Sequence, residues 1–118
     1  MRSNALEGVY MEVSKSDWKL FRERVVDWQE AYMERLVKEY RDLLDGAENA
    51  SDKFWKLEER IKKDKKHPGV IMEMSKSETI WNIVYLIRLN VIAYDDLANF
   101  SDDLKESVAM ILDRNKGE

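Results

Sequence analysis

The residues that could do chemistry are few. His67 is the only histidine and there is no cysteine. Thiolate chemistry, disulfides, Cys-based zinc sites and the Glu-x-x-His pairs of di-iron bundles are therefore excluded. His67 precedes Pro68 beside a run of lysines, which predicts a solvated turn residue rather than an acid–base group. Glu30 and Glu34 are spaced to put two carboxylates on one helical face. That is the beginning of a carboxylate metal site, but both lie at a polar edge, and a solvated face accounts for them. Asp95-Asp96 and Asp102-Asp103 lack the spacing and the glycine of a calcium loop, and favourable charge at a helix start explains them. No Walker loop, Gly-x-Gly-x-x-Gly, Gly-x-Ser-x-Gly or His-Glu-x-x-His motif occurs. The expectation is no catalytic residue, no cofactor, no metal and no enzyme activity.

Three weaker constellations remain. Residues 51–76 carry 8 basic and 5 acidic groups in a chain whose net charge is −4. Lys62, Lys63, Lys65 and Lys66 form the centre of that segment, and Trp55 lies close enough to offer a stacking surface for a base. Cations at a solvated helix end are the plainer explanation. The triplets Ser14-Lys15-Ser16 and Ser75-Lys76-Ser77 stand where helices begin, so free amides, hydroxyls and a lysine could hold an anion there; capping alone explains the serines. Finally, Trp28, Tyr40 and Trp55 fall near the edges of apolar stripes. With Arg22 and Gln29 they form the candidate protein interface, since aromatic and arginine side chains dominate binding hot spots.

The elements that position these residues follow from a repeat. Residues 8–17 (Gly-Val-Tyr-Met-Glu-Val-Ser-Lys-Ser-Asp) and 69–78 (Gly-Val-Ile-Met-Glu-Met-Ser-Lys-Ser-Glu) are identical at seven of ten positions. In each copy a glycine opens a run of period-2 alternation, with Val9, Met11 and Val13 on one face and Val70, Met72 and Met74 on the other copy's equivalent. Ser75 and Glu78 then make a strict capping box, and Ser14 with Asp17 a near variant. The pattern predicts two short strands that pair, in an order parallel or antiparallel, each turning into a capped helix. The fold class expected is mainly α: four main helices and a small two-stranded ribbon, strand–helix–helix duplicated.

The first helix is expected from about Lys15 to Asp45, stopped by Gly46. Its apolar positions, Trp18, Phe21, Val25, Val26, Trp28, Tyr32, Met33, Leu36, Val37, Tyr40, Leu43 and Leu44, cover an arc of about 180°, where one core-facing stripe needs only about 100°. The excess predicts that this helix meets a second partner. The second helix is expected from an N-cap at Ser51 to about Lys66, with a narrow stripe of Phe54, Leu57 and Ile61. A short loop makes the two an antiparallel hairpin. The third, from Lys76 to Asn90, is apolar all round and so central to the core. The last runs from Asp102, capped by Ser101, to about Arg114, with Leu104, Val108, Ile111 and Leu112 inward.

A chain of 118 residues, 44% apolar and 37% charged with one proline and four glycines, is expected to be a single domain of few, long elements. Residues 1–7 and 115–118 are expected to fray. The mild acidity argues against nucleic acid and selects no partner class. Met1 to Gly8 lacks the apolar core of a signal peptide, and the run from Ile80 to Tyr94 is too short and too interrupted to span a membrane. A cytoplasmic, soluble chain is expected.

The segments Trp28-Gln29-Glu30-Ala31-Tyr32-Met33, Lys53-Phe54-Trp55-Lys56-Leu57-Glu58 and Asp95-Asp96-Leu97-Ala98-Asn99-Phe100-Ser101 resemble those of a group of small proteins from Firmicutes. The resemblance covers most of the chain. It implies a bacterial or mobile-element origin and brings with it no activity, ligand or catalytic residue. A transporter label borne by some of that group conflicts with the lack of a membrane-length apolar run. The function expected is a non-catalytic protein-binding or regulatory module, a small inhibitor or a homodimeric adaptor docking through the first helix. The alternative is a nucleic-acid accessory protein using residues 53–66.

Overall fold

A computed structural model describes residues 13–116, with side chains to residue 113. The chain is mainly helical. Four α-helices follow one another: α1 (Lys15–Leu44), α2 (Ala50–Asp64), α3 (Thr79–Arg88) and α4 (Asp102–Lys116), with single 3-10 turns at Lys76–Glu78 and Tyr94–Leu97. The chain falls into two compact units. One is made from residues 27–72, the other from the segments flanking them, 13–26 and 73–116. Residues 1–7, expected to fray, lie outside the described residues, whereas Asn115 and Lys116 continue α4.

The unit of flanking segments is built on α3. Ile80, Ile83, Val84 and Leu86 are buried, as the all-round apolar pattern requires, although Tyr85 on the same helix is half exposed. Phe21 and Val25 from α1, and Leu104, Val108 and Ile111 from α4, complete this core with Val91, Ile92, Leu97 and Phe100. α3 ends at Asn90, the one non-glycine residue with positive φ among those described (63°). Val91 N–H bonds back to Leu86 O at 2.9 Å and Asn90 N–H to Ile87 O at 3.0 Å, so the left-handed residue lets the last carbonyls find donors.

The caps of this unit differ from the expected pair of boxes. Ser14 Oγ accepts the Asp17 amide at 3.0 Å, which starts α1 as predicted. Asp17 does not reach back to Ser14. Its buried carboxylate accepts Ser101 N–H at 3.0 Å and Ser101 Oγ–H at 2.5 Å, while Ser101 Oγ accepts Leu104 N–H at 3.2 Å and caps α4. In the second copy Ser75 makes no side-chain cap at all. Its hydroxyl pairs with Ser77 at 3.1 Å, and the buried Thr79 Oγ1 donates to Lys76 O at 2.8 Å instead.

Among the described residues the two-stranded ribbon is not seen. Residues 71–75 adopt no regular structure, and residues 8–12 of the first copy lie outside the described residues. A run of five residues carries few ladder bonds, and a lone pair of strands is marginal. Here the Glu73 carbonyl accepts from the Asn82 side chain at 3.3 Å. Met74, placed by the alternation on one face with Val70 and Met72, is exposed.

The other unit is a helical hairpin of the second half of α1 and α2. Asp45 N–H to Arg41 O and Gly46 N–H to Leu43 O close α1. The cap of α2 is Asn49, two residues before the predicted Ser51: its side chain accepts the Asp52 amide at 3.0 Å. Asparagine at this position offers the carbonyl oxygen that the orphan amides of the first turn need.

Candidate functional site

The hairpin is held by a polar seam. The Tyr40 hydroxyl donates to Asp64 Oδ2 at 2.6 Å, and Arg60 bridges Glu39 (2.7 Å) and Asp64 (3.4 Å). Asp64 is buried at the C-terminal end of α2, where the helix dipole opposes a negative charge, so the Tyr40 and Arg60 donors are what make it tolerable there. Burial, and then the bond to Asp64, push the Tyr40 phenol up to about 12. Farther from the tip the turn after α2 is fastened to α1. Gln29 Nε2–H donates to Pro68 O at 2.9 Å, the His67 ring stacks on Tyr32 at 4.6 Å and 8°, and Gly69 lies flat on the same tyrosine.

His67 is therefore not the solvated turn residue the sequence suggested. Its Nδ1 accepts Gly69 N–H at 3.0 Å, which fixes the neutral ring with its proton on Nε2. Burial holds its pKa below the ordinary value of 6.5, opposed by the Asp64 charge and assisted by Arg35. Among the described residues no cluster of acidic and histidine side chains could hold a metal ion, and Glu30 and Glu34 stand exposed on the helix surface.

Against this seam stands an uncovered apolar face. On the hairpin half of α1 the buried positions are Tyr32 and Leu36, while Met33, Val37 (58% exposed) and Leu44 face water. At 3.6 residues per turn these three fall within about 40° of one another, roughly a quarter turn from the seam. On α2 Phe54 (61% exposed) and Ile61 also form one stripe, again roughly a quarter turn from the buried Asp64. The rotation has the same sense in both helices. Because the helices run antiparallel, that places both stripes on one side of the hairpin. The Glu39–Arg60 pair, rotated the other way in each, lies on the opposite side. The register set by Glu39–Arg60 and Tyr32–His67 puts Val37 level with the Ile61 turn and Leu44 level with the Phe54 turn. Met33, Val37, Leu44, Phe54 and Ile61 thus share one exposed side of the hairpin. Such patches on folded proteins mark contact sites more often than chance.

The predicted interface residues are placed differently from one another. Trp55 is exposed (63%) and meets Phe54 edge-on at 4.8 Å between ring centres. Gln29 and Tyr40 are half-buried and spend their polar groups inside the hairpin. Trp28 is half-buried. Arg22, in the other unit, lays its guanidinium over Trp18 at 5.1 Å. A hollow of about 400 Å³ beside Trp55 is otherwise lined by Asp52, Lys56, Glu58, Glu59 and Lys62, an open charged rim rather than an enclosure for a ligand.

Lys62, Lys63, Lys65 and Lys66 are all exposed but fan around the end of α2 rather than lining one groove; only Lys62 shares the hollow beside Trp55, together with Glu58 and Glu59. The serine triplets make internal pairs, Ser14 with Ser16 at 3.2 Å and Ser75 with Ser77, while Lys15 and Lys76 are exposed. The second triplet opens a single 3-10 turn that runs into α3. No described helix is long and apolar enough to cross a membrane.

The sequence pattern includes Met33, Val37 and Leu44 in the wide apolar arc of α1 without separating them from its buried positions, and groups Phe54, Leu57 and Ile61 as the stripe of α2. The signal for the correction is the composition of that helix: only Leu57 joins Phe54 and Ile61, and Arg60 and Asp64 are the side chains that bond to α1. No protein-family model, no curated protein and no solved structure matches this chain.

Proposed function

We propose that the chain is a non-catalytic protein-docking module that binds through the apolar side of the hairpin of residues 27–72. One observation carries this reading: five large apolar side chains from two helices, Met33, Val37, Leu44, Phe54 and Ile61, share one exposed side, backed by a seam that is already fully bonded. Leaving that surface in water forgoes roughly 25 cal/mol for each Å² of apolar area, a loss that a partner's contact recovers. The rigid backing also lowers the ordering cost of binding. A regulatory or inhibitory module works this way, by occupying a surface rather than by chemistry.

The test is site-directed photocrosslinking in the cells that make the protein. A crosslinkable amino acid at Val37 or Phe54 should yield one discrete adduct of protein mass. The same amino acid at Glu39 or Lys63, on other sides of the hairpin, should not. Adducts spread equally over all four positions, or to lipid alone, would overturn the reading.

A further inference from the structure

The edges of the docking side carry charges in an order that identifies the occupant. Resting on the reading above, we propose that the occupant is a second copy of this chain, docked face to face about a two-fold axis parallel to the helices. On the outer flank of the α1 stripe, Arg41 stands towards the tip of the hairpin and Glu34 and Glu30 towards its open end. On the outer flank of the α2 stripe, Glu58 stands towards the tip and Lys62 and Lys65 towards the open end. All six are exposed, and none forms an ion pair among the described residues. The register of the hairpin sets Arg41 level with Glu58 and Glu34 level with Lys65. At each height the two edges therefore bear opposite signs.

That pattern is complementary to itself. A two-fold axis along the helices lays α1 of one copy over α2 of the other at the same height. Arg41 then meets the partner's Glu58, and Glu34 meets the partner's Lys65. The same operation sets Leu44 over the partner's Phe54 and Val37 over the partner's Ile61, pairing large against large and small against branched. Each contact occurs twice, as an isologous interface requires. Two helices about 22 Å long and about 9 Å apart present roughly 400 Å² of face in projection. Doubled by the partner and increased by side-chain relief, this reaches the lower end of stable pairs, about 1,200 Å² in total. The product is a four-helix bundle of two hairpins with apolar residues inside and charges at its rim. An unrelated partner would need no such match between the two edges of one chain.

The experiment is a set of solution masses for the full chain, by light scattering or sedimentation equilibrium, with circular dichroism to show that each variant is folded. The wild type should dimerise in the micromolar range. The front-face variant Val37→Glu should be monomeric and helical. E30K/E34K places like charges along the open end of the bundle and should weaken the dimer about tenfold or more, as should K62E/K65E. Combining the four substitutions in one chain restores opposite signs at every height and should restore the wild-type mass. The two half-variants, each weak alone, should form a mixed dimer when combined. A wild type still monomeric at about 100 µM overturns the inference. So does a dimer indifferent to both half-variants, or one that the fourfold variant fails to rescue. If the crosslinks at Val37 and Phe54 then carry a different protein, the docking reading stands and the homotypic one falls. If they carry nothing, both fall.

Discussion

Gly69→Ala is the sharpest probe of the hairpin. A Cβ built on Gly69 would lie 2.3, 2.6 and 2.8 Å from Cδ2, Cγ and Cε2 of Tyr32, well inside contact distance. The ring has little room to retreat, since it is buried, stacked on His67 at 4.6 Å and covered by the Arg35 guanidinium at 4.8 Å. Overpacking of this kind costs about 1–3 kcal/mol, and here the offending atom meets the rigid part of a ring, so the upper half of that range applies. Gly69 does not have positive φ, so alanine brings no backbone strain there. It even restricts the unfolded chain, a gain of about 0.4–1 kcal/mol. The net expectation is a loss of about 1.5–2.5 kcal/mol, which lowers the urea midpoint by about 1 M for a chain of this size. Urea titration followed by circular dichroism measures it. Tyr32→Leu in the same background should remove the clash, giving a coupling of at least about 1 kcal/mol in the double-mutant cycle. A Gly69→Ala protein as stable as the wild type, or additive with Tyr32→Leu, would show that the turn does not pack on Tyr32.

Other expectations concern single bonds. Tyr40→Phe leaves Asp64 with Arg60 alone and should cost about 1–2 kcal/mol by urea titration. The Tyr40 phenol has its pKa raised from 10.0 to about 12, so the stability it contributes is full below pH 10 and lost as pH rises towards 12. A phenolate absorbance titration of the folded protein should show that late ionisation. Asp17→Ala strips the acceptor from both the amide and the hydroxyl of Ser101 and should destabilise by about 1–3 kcal/mol, while Leu104 N–H keeps its cap. His67 has its pKa depressed below 6.5 in the fold, so the unfolded chain takes up its proton first. Stability should fall as pH drops from about 6.5 through the folded value. His67→Asn keeps an acceptor for Gly69 N–H without titrating, and should flatten that part of the pH–stability curve; an unchanged slope would put its origin elsewhere.

Periodicity carried the helices well. The apolar arc of α1, twice too wide for one stripe, corresponds in the structure to a buried line through Tyr32 and Leu36 and an exposed one through Met33, Val37 and Leu44. Ser14 and Ser101 cap where their types and positions predict. What periodicity does not encode is which polar groups meet across a seam. Gln29 and Tyr40 read as interface residues of the apolar arc, yet the neighbouring Pro68 carbonyl and Asp64 carboxylate consume them. Phe54 and Ile61 repeat at a helical interval, so they read as inward. The inward positions of α2 are instead largely polar, because Asp64 and Arg60 join a network whose partners lie on another helix. The repeat misled in a different way. Ten similar residues promise similar local structure, but a strand needs a neighbour for its backbone, and residues 71–75 find a side chain instead.

The bond between Asp17 and Ser101 joins positions 84 apart in the chain. Closing a loop of that length costs about 4 kcal/mol of chain entropy before any contact repays it. The hairpin of residues 27–72 closes shorter loops, of 21 to 39 residues, at a cost lower by about 1 kcal/mol, and all its residues have been made before the ribosome adds α4. The unit around α3 must wait for α4 to emerge, and until then its half of α1 has an apolar side without its final cover. Mutations in the early-formed hairpin should therefore chiefly slow folding, and those around Phe21, Val108 and Asp17, whose contacts form last, should act chiefly on the rate of unfolding.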